Sequence, residues 1–238
     1  MPSNFNGIEI TDANFNGTAL DLIYMNGVEV FSAVTQEYLL RLDPVNQDAV
    51  TLADDYNIPS GSDWYFSIKI NTTDLTKVGG QTLFSRIGVP NALESYFMRV
   101  FSTGFLEFRF GGASANRIRY ETDITVEYPN QEIEIKFRYN PNNDKEIFIN
   151  DVLKASVNSA IYPSDSFIAN TQVGGFNLVS NFYDGRVISF DVNGEVWNLN
   201  EGTGFTVLST PSNLVGTGVT ANAGGLTYWN STVWELIP

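Results

Sequence analysis

Turn spacing narrows the fold of this chain more than any other feature. Apolar and polar residues alternate in short blocks, and Asn-Gly, Asn-Asp, Gly-Gly or Pro-Asn breaks the alternation about every eight to twelve residues. Alternation of period two puts successive side chains on opposite faces of an extended strand. Loops this short join antiparallel neighbours, because a parallel crossover needs a dozen residues or more. The pattern therefore predicts an all-β, antiparallel sandwich or barrel. The predicted strands are 38–42, 64–71, 81–87, 96–102, 105–111, 118–122, 131–139, 146–150, 152–157, 172–178, 185–192 and 196–199. Helical periodicity is nearly absent; DPVNQDAVTLADDY, Asp43–Tyr56, is expected to hold one short helical turn.

Two stretches carry the pattern most clearly. LDLIYMNGVEVFS, Leu20–Ser32, reads as a complete hairpin: Leu22, Tyr24, Val28 and Val30 alternate with Asp21, Ile23, Met25 and Glu29 about Asn26-Gly27. Both central residues of a type I′ turn need positive φ, which Asn and Gly adopt at least cost. An isolated two-stranded hairpin is marginal in water, so this one is expected to pack on its own domain or on another molecule. QEIEIKFRYNPNNDKEIFINDVLKASV reads as two linked hairpins. Ile133, Ile135, Phe137 and Tyr139 share one face, and tight turns fall at Asn140–Lys145 and Asn150-Asp151. A further such turn is expected at Asn193-Gly194. The joint Ser32–Thr35 sets off residues 1–33 from a domain over 34–238. Beyond Leu199 the texture turns to Gly, Thr and Ser, so residues 200–238 are expected to wrap over the sandwich and end at Trp229 and Trp234.

Composition excludes several functions. The 238 residues are 43% hydrophobic and rich in Phe and Tyr, enough for a sizeable core. There is no histidine and no cysteine. That removes disulfides, thiolate nucleophiles, the Ser-His-Asp triad and nearly every transition-metal site. The net charge of −14 argues against nucleic acid and against anionic membrane surfaces, which call for clustered Lys and Arg. MPSNFNGIEI has neither a basic n-region nor an apolar h-region, so no secretory leader is expected. No apolar run approaches the roughly 18–20 residues that span a bilayer.

QTLFSRIG, SYFMRVFSTGFLEFRFGG, EIEIKFRYNPNNDKEIFINDVLKASV and YDGRVISFDV follow one another in order. Together they resemble the concanavalin A-like lectin/glucanase superfamily in its laminin-G-like form, over roughly Thr35–Asn200, with Asp184, Gly185 and Arg186 matching the family's late "DGRI" strand. The tail WNLNEGTGFTVLSTPSN and the head YMNGVEVF resemble segments of phage tail-associated proteins. The resemblance implies a jelly-roll β-sandwich behind an N-terminal attachment hairpin, in a bacteriophage virion. Expected partners are other virion proteins, copies of the chain itself and a host-surface glycan. Tyr24, Met25, Val28, Val30 and Phe31 would form the attachment surface. A purely architectural tail or capsid-decoration subunit is the alternative.

Catalysis is not expected. The glycanases of this superfamily carry Glu-x-Asp-x-x-Glu; QEIEIKF supplies only Glu132 and Glu134, and a solvated strand face accounts for both. The lyases of the superfamily use a His, which this chain lacks. No cofactor is expected, although calcium, which needs only oxygen ligands, has candidates in Asp43, Asp48, Asp54 and Asp55. Glycan binding would use aromatic faces with amide and carboxylate groups on loops. Asn181, Tyr183 and Asp184 of NFYDGR, with Trp229 and Trp234, are the expected ligand residues, and Tyr228 adjoins them.

Overall fold

A computed structural model describes residues 3–5, 8–10, 14–15, 18–19, 22–25, 28–32, 38–53, 56, 63–75, 80–88, 96–110, 117–140, 142, 144–158, 169–175, 182–199, 206–210, 212, 214–222, 225–228 and 234–236. The chain divides into two compact units, Met1–Glu37 with Ile237–Pro238, and Tyr38–Leu236.

The first unit holds three antiparallel pairs. They are β1 (Ser3–Phe5) with β2 (Ile8–Ile10), β3 (Asn14–Phe15) with β4 (Thr18–Ala19), and β5 (Leu22–Met25) with β6 (Val28–Ser32). The expected hairpin is thus β5–β6, its ladder closing at Met25 opposite Val28, on either side of Asn26-Gly27. Its register departs from the alternation read in the sequence. Tyr24 stands opposite Glu29 rather than sharing a row with Val28, and a bulge between Ile23 and Tyr24 leaves Val30 without a partner. The two pairs before it, separated by Asn6-Gly7 and by Asn16-Gly17, carry the same Asn-Gly signal but were not singled out, their strands being only two or three residues long.

The second unit is an antiparallel β-sandwich. Its strands are β7 (Tyr38–Leu42), β8 (Asp48–Leu52), β9 (Trp64–Asn71), β10 (Gln81–Gly88), β11 (Tyr96–Val100), β12 (Leu106–Phe110), β13 (Arg117–Tyr120), β14 (Glu132–Tyr139), β15 (Asp144–Ile149), β16 (Val152–Asn158), β17 (Ala169–Val173), β18 (Gly185–Val192), β19 (Glu195–Trp197), β20 (Thr206–Thr210), β21 (Val215–Asn222), β22 (Gly225–Tyr228) and β23 (Trp234–Leu236). One layer runs β16-β15-β14-β9-β18, and the far edge of β18 is shared by β7, itself flanked by β23, and β19. The other runs β13-β12-β11-β10-β17-β8-β21, with β20 and β22 sharing the far edge of β21. Strand β20 also pairs with β19, so a continuous ladder closes the layers along one side.

The inner faces are aromatic. Phe66 of β9 stacks on Phe84 of β10 with ring centroids 4.2 Å apart. Trp64 packs edge-on to Tyr96 at 5.3 Å, and Phe108 meets Phe137 at 5.7 Å. Each contact joins one layer to the other, and all six rings are fully buried. The alternation that predicted β14 holds residue by residue, with Ile133, Ile135, Phe137 and Tyr139 buried and the residues between them facing outward. Two predicted turns form with positive φ at both residues, Asn150-Asp151 (50° and 61°) and Asn193-Gly194 (53° and 90°).

Two expectations fail here. Residues 48–52 are strand β8, not helix, because β8 hydrogen-bonds on both edges, to β17 and β21, and buries Ala49, Val50 and Leu52. The acidic residues before it shape a tight turn. Asp43 accepts from the Val45 amide at 2.7 Å, and Gln47 takes φ 60°, which carries the chain from one layer into the other. The described strands of the segment expected to wrap over the sandwich, β20, β21, β22 and β23, are instead hydrogen-bonded members of its layers.

The stack about Phe84 touches Phe66, Trp64 and Tyr96. Truncating it leaves a ring-sized cavity that neighbours in two rigid sheets cannot collapse into. Phe84→Ala should cost about 3–5 kcal/mol of unfolding free energy in denaturant titration; a loss under about 1 kcal/mol would show that the ring is not structural.

Candidate functional site

The loop singled out in the sequence is mostly structural. Tyr183 is fully buried, and its hydroxyl lies 3.4 Å from the Arg186 carbonyl oxygen. Burial pushes its phenol far above the ordinary range. Its ring therefore presents no face for a sugar to stack on. Asp184 accepts from Arg41 of β7 at 2.9 Å, and Arg186 donates to both oxygens of Asp74, at 2.7 and 3.0 Å. Between them, a Cβ on Gly185 would stand 2.6 Å from the Tyr183 hydroxyl oxygen and 2.9 Å from the Asp74 Cβ, so only glycine fits. The Asp-Gly-Arg motif thus ties β18 to its neighbours on both sides. Trp234 is buried in the core on β23. Asn181 and Trp229 lie outside the described residues, as do Asp54 and Asp55, and Tyr228 is described only as part of strand β22.

The acidic candidates are also accounted for. Glu132 pairs with Lys69 at 3.2 Å and Glu134 lies 3.7 Å from Lys136, on the solvent face of β14. Asp48 accepts from the Asp43 amide at 3.2 Å. Among the described residues no three acidic side chains converge as a metal site would require.

The outer face of the β16–β18 layer carries a different constellation. Trp64, Phe66 and Ile68 point inward, so alternation turns Tyr65, Ser67 and Lys69 outward on β9. Lys136 and Arg138 follow on β14 and Phe148 on β15, in register with them. Together with Asp63 and Asp151 these side chains line a groove of about 360 Å³. Arg138 grips Asp63 through two parallel bonds, at 2.8 and 2.6 Å, holding the Asp63 carboxyl below its usual range. Lys136 donates to Asp151 at 3.0 Å and stands 5.8 Å from the centre of the Tyr65 ring. The Tyr65 hydroxyl donates to Asp191 at 3.0 Å, and Asp191 also accepts the Gly194 amide at 2.7 Å. A second hollow of about 150 Å³ opens along the same face between Ser67, Lys69, Glu134, Ser189 and Asp191.

The groove thus offers two aromatic side chains, Tyr65 and Phe148, set among fixed cations and carboxylates. Sequence reasoning set Phe148 on the face opposite Ile147 and Ile149 but named neither ring as a ligand residue. The available signal was parity: Tyr65 and Phe148 occupy the outward positions of strands whose inward positions are already filled by Trp64, Phe66, Ile147 and Ile149.

The sequence matches no protein-family model and no curated relative. Solved structures do resemble the chain. A Bacteroides ovatus protein provisionally described as carbohydrate binding superposes on 87% of this chain with a TM-score of 0.54 at 12% identity; the chain spans 61% of its length. The CBM40 domain of the Ruminococcus gnavus IT-sialidase superposes on 68% of this chain and 92% of its own, with a TM-score of 0.50 at 14% identity. The chain therefore has an antiparallel jelly-roll β-sandwich, the fold of these two structures.

Burial, then the neighbouring Asp191 carboxylate, pushes the Tyr65 phenol up to about 12. The ring signals of Tyr65 should accordingly show it still largely protonated at pH 11, where an ordinary tyrosine has ionised. Asp191→Asn should lower the midpoint partway. A midpoint near 10 in the native chain would break the assigned contact.

Proposed function

We propose that this chain is a non-catalytic, lectin-like glycan-binding protein, and that the groove across β9, β14 and β15 is its sugar site. The observation that carries the reading is the pairing of Tyr65 and Phe148 with the clamped Arg138–Asp63 and Lys136–Asp151 pairs on an outer sheet face. Sugar rings present C–H faces and hydroxyl edges. Aromatic side chains supply the apolar contact, and pre-positioned charged groups supply directional hydrogen bonds without paying fresh ordering entropy. The carbohydrate-binding character of the structural neighbours supports the same reading. The two carboxylates of the groove, Asp63 and Asp151, are each paired with a cation, an arrangement that suits hydrogen bonding to hydroxyl groups.

The finer reading is that the protein belongs to a phage virion and recognises host-surface glycans there, with the Met1–Glu37 unit as its attachment element. The YMNGVEVF resemblance and the separate compactness of that unit support it. Backbone pairing at a hairpin edge needs neither charge nor cofactor and suits assembly on a neighbouring subunit.

Two measurements test this. On a glycan array the native chain should retain glycans, and Tyr65→Ala or Phe148→Ala should weaken the best ligand about tenfold, the loss of one stacking contact. Retention of no glycan, or indifference to both variants, overturns the site. Deleting Met1–Phe31 should abolish incorporation into particles; normal incorporation would refute attachment through the hairpin.

A further inference from the structure

Charge is spread unevenly in this acidic chain. Four of its thirteen Lys and Arg residues fall between positions 99 and 119, where Glu107 is the sole acid. Strands β11, β12 and β13 bring these residues together on the outer face of the second layer. Arg99, Glu107 and Arg119 form one cross-strand row, and Phe97, Arg109 and Arg117 form the next.

The first row is saturated. The Glu107 side chain is fully buried beneath its partners: Arg99 meets one oxygen at 2.7 Å and Arg119 the other at 2.8 Å. Phe101 lies between the same two guanidinium groups, 4.2 Å from Arg99 and 4.8 Å from Arg119. Two arginines fixed in this way neutralise the buried carboxylate and satisfy both of its oxygens. Arg117 is the surplus cation. It stands 4.0 Å from Glu107, beyond hydrogen-bond reach, and its side chain is 37% exposed. It also sits directly opposite Arg109 across the β12–β13 ladder. Like charges so placed destabilise a sheet, and the balancing of Glu107 by Arg99 and Arg119 gives no reason for a further arginine at position 117.

The surplus charge has an outlet. Among the described strands β13 pairs only with β12 and β16 only with β15, at the ends of the two layers away from the β19–β20 ladder. Between them lies an open groove of about 370 Å³, lined by Arg117, Arg119, Glu121, Ser156 and Val157. It combines two forked cations, one carboxylate, a hydroxyl and an apolar wall.

We infer that this groove is a second ligand subsite, separate from the Tyr65 groove, which binds the anionic group of an acidic saccharide, a carboxylate or a sulfate, with Arg117 as the receiving fork. The inference rests on the glycan-binding reading above. A planar guanidinium matches a carboxylate or sulfate through two parallel bonds, a geometry that lysine cannot reproduce. Arg99 and Arg119 hold the local potential positive without competing for the ligand, because Glu107 already fixes them.

The test is titration of the full chain with carboxylated and sulfated oligosaccharides, each paired with a neutral counterpart such as the methyl ester. The charged member should bind at least about tenfold tighter, and less tightly as salt rises. Arg117→Ala should weaken it by roughly tenfold or more while the thermal midpoint holds, and Arg117→Lys should fall between. Preference for carboxylated over sulfated probes, or the reverse, names the group. Binding of charged and neutral members alike, or indifference to Arg117→Ala, overturns the inference. So does equal affinity for a single-stranded oligonucleotide, which would mark a general phosphate surface. Neutral glycans retained through Tyr65 with no charge preference would overturn this inference alone; capture of no glycan of either kind would overturn both readings.

Discussion

Ring-to-ring packing between the two layers is the interaction on which the rest of this molecule depends. The chain has no cysteine to cross-link it, and among the described residues the ladder joining the layers runs along one side, through β19 and β20. Elsewhere the sheets are held by burial of Trp64, Phe66, Phe84, Tyr96, Phe108 and Phe137 between them. Apolar burial of this kind has no direction of its own, but aromatic edges and faces do, and the stacked and T-shaped contacts set how one sheet sits over the other.

That division of labour frees the outer faces. A strand whose inward positions are filled by large rings and branched aliphatics needs no stability from its outward ones. On β9, β14 and β15 those positions hold a tyrosine, a phenylalanine and paired charges; on β11–β13 they hold arginines around one carboxylate. The described residues at several strand ends serve the scaffold instead. Asp43, Asp184, Arg186 and Asn193 are spent on turns and ion pairs that join neighbouring strands. Among the described residues the proposed recognition groups thus lie on strand faces, while Tyr183 and Asp184 of the expected binding loop serve the scaffold, the reverse of the placement expected for them from the sequence.

This reversal explains which parts were legible beforehand. Strands were legible because alternation and turn residues are local: β9 and β18 were bounded to the residue, and the Asn150-Asp151 and Asn193-Gly194 turns form with the φ values that their residues favour. β8 was not, because DAVTL has no clean alternation; it is buried on both sides by partners, β17 and β21, that lie more than a hundred residues away in sequence. The Gly-rich β21 was missed for a related reason. A Cβ at Gly216 would stand 2.6 Å from Val207 and 2.9 Å from Val50, so glycine there marks close approach inside a sheet rather than a flexible tail. The sites were hidden at the next level. NFYDGR looks like a binding loop because it mixes an aromatic with polar groups, but only the fold shows that Tyr183 points into the core. Tyr65 and Arg117 look unremarkable in sequence because their partners come from other strands.

The arginine cluster also qualifies what net charge can say about partners. At −14 the chain as a whole repels anions, and from the total alone acidic ligands are poor candidates. Yet such repulsion between exposed charges fades over roughly 8 Å at physiological salt. At contact distance a ligand meets the local set, where Arg117 and Arg119 line the groove with Glu121, and Arg99 and Arg119 offset the buried Glu107. Screening thus favours the near field over the far one. An acidic envelope around a small cationic groove discourages diffuse attraction of polyanions while leaving one place where a single anionic group is held by geometry. Selectivity of this kind comes from confining positive charge, not from raising its amount.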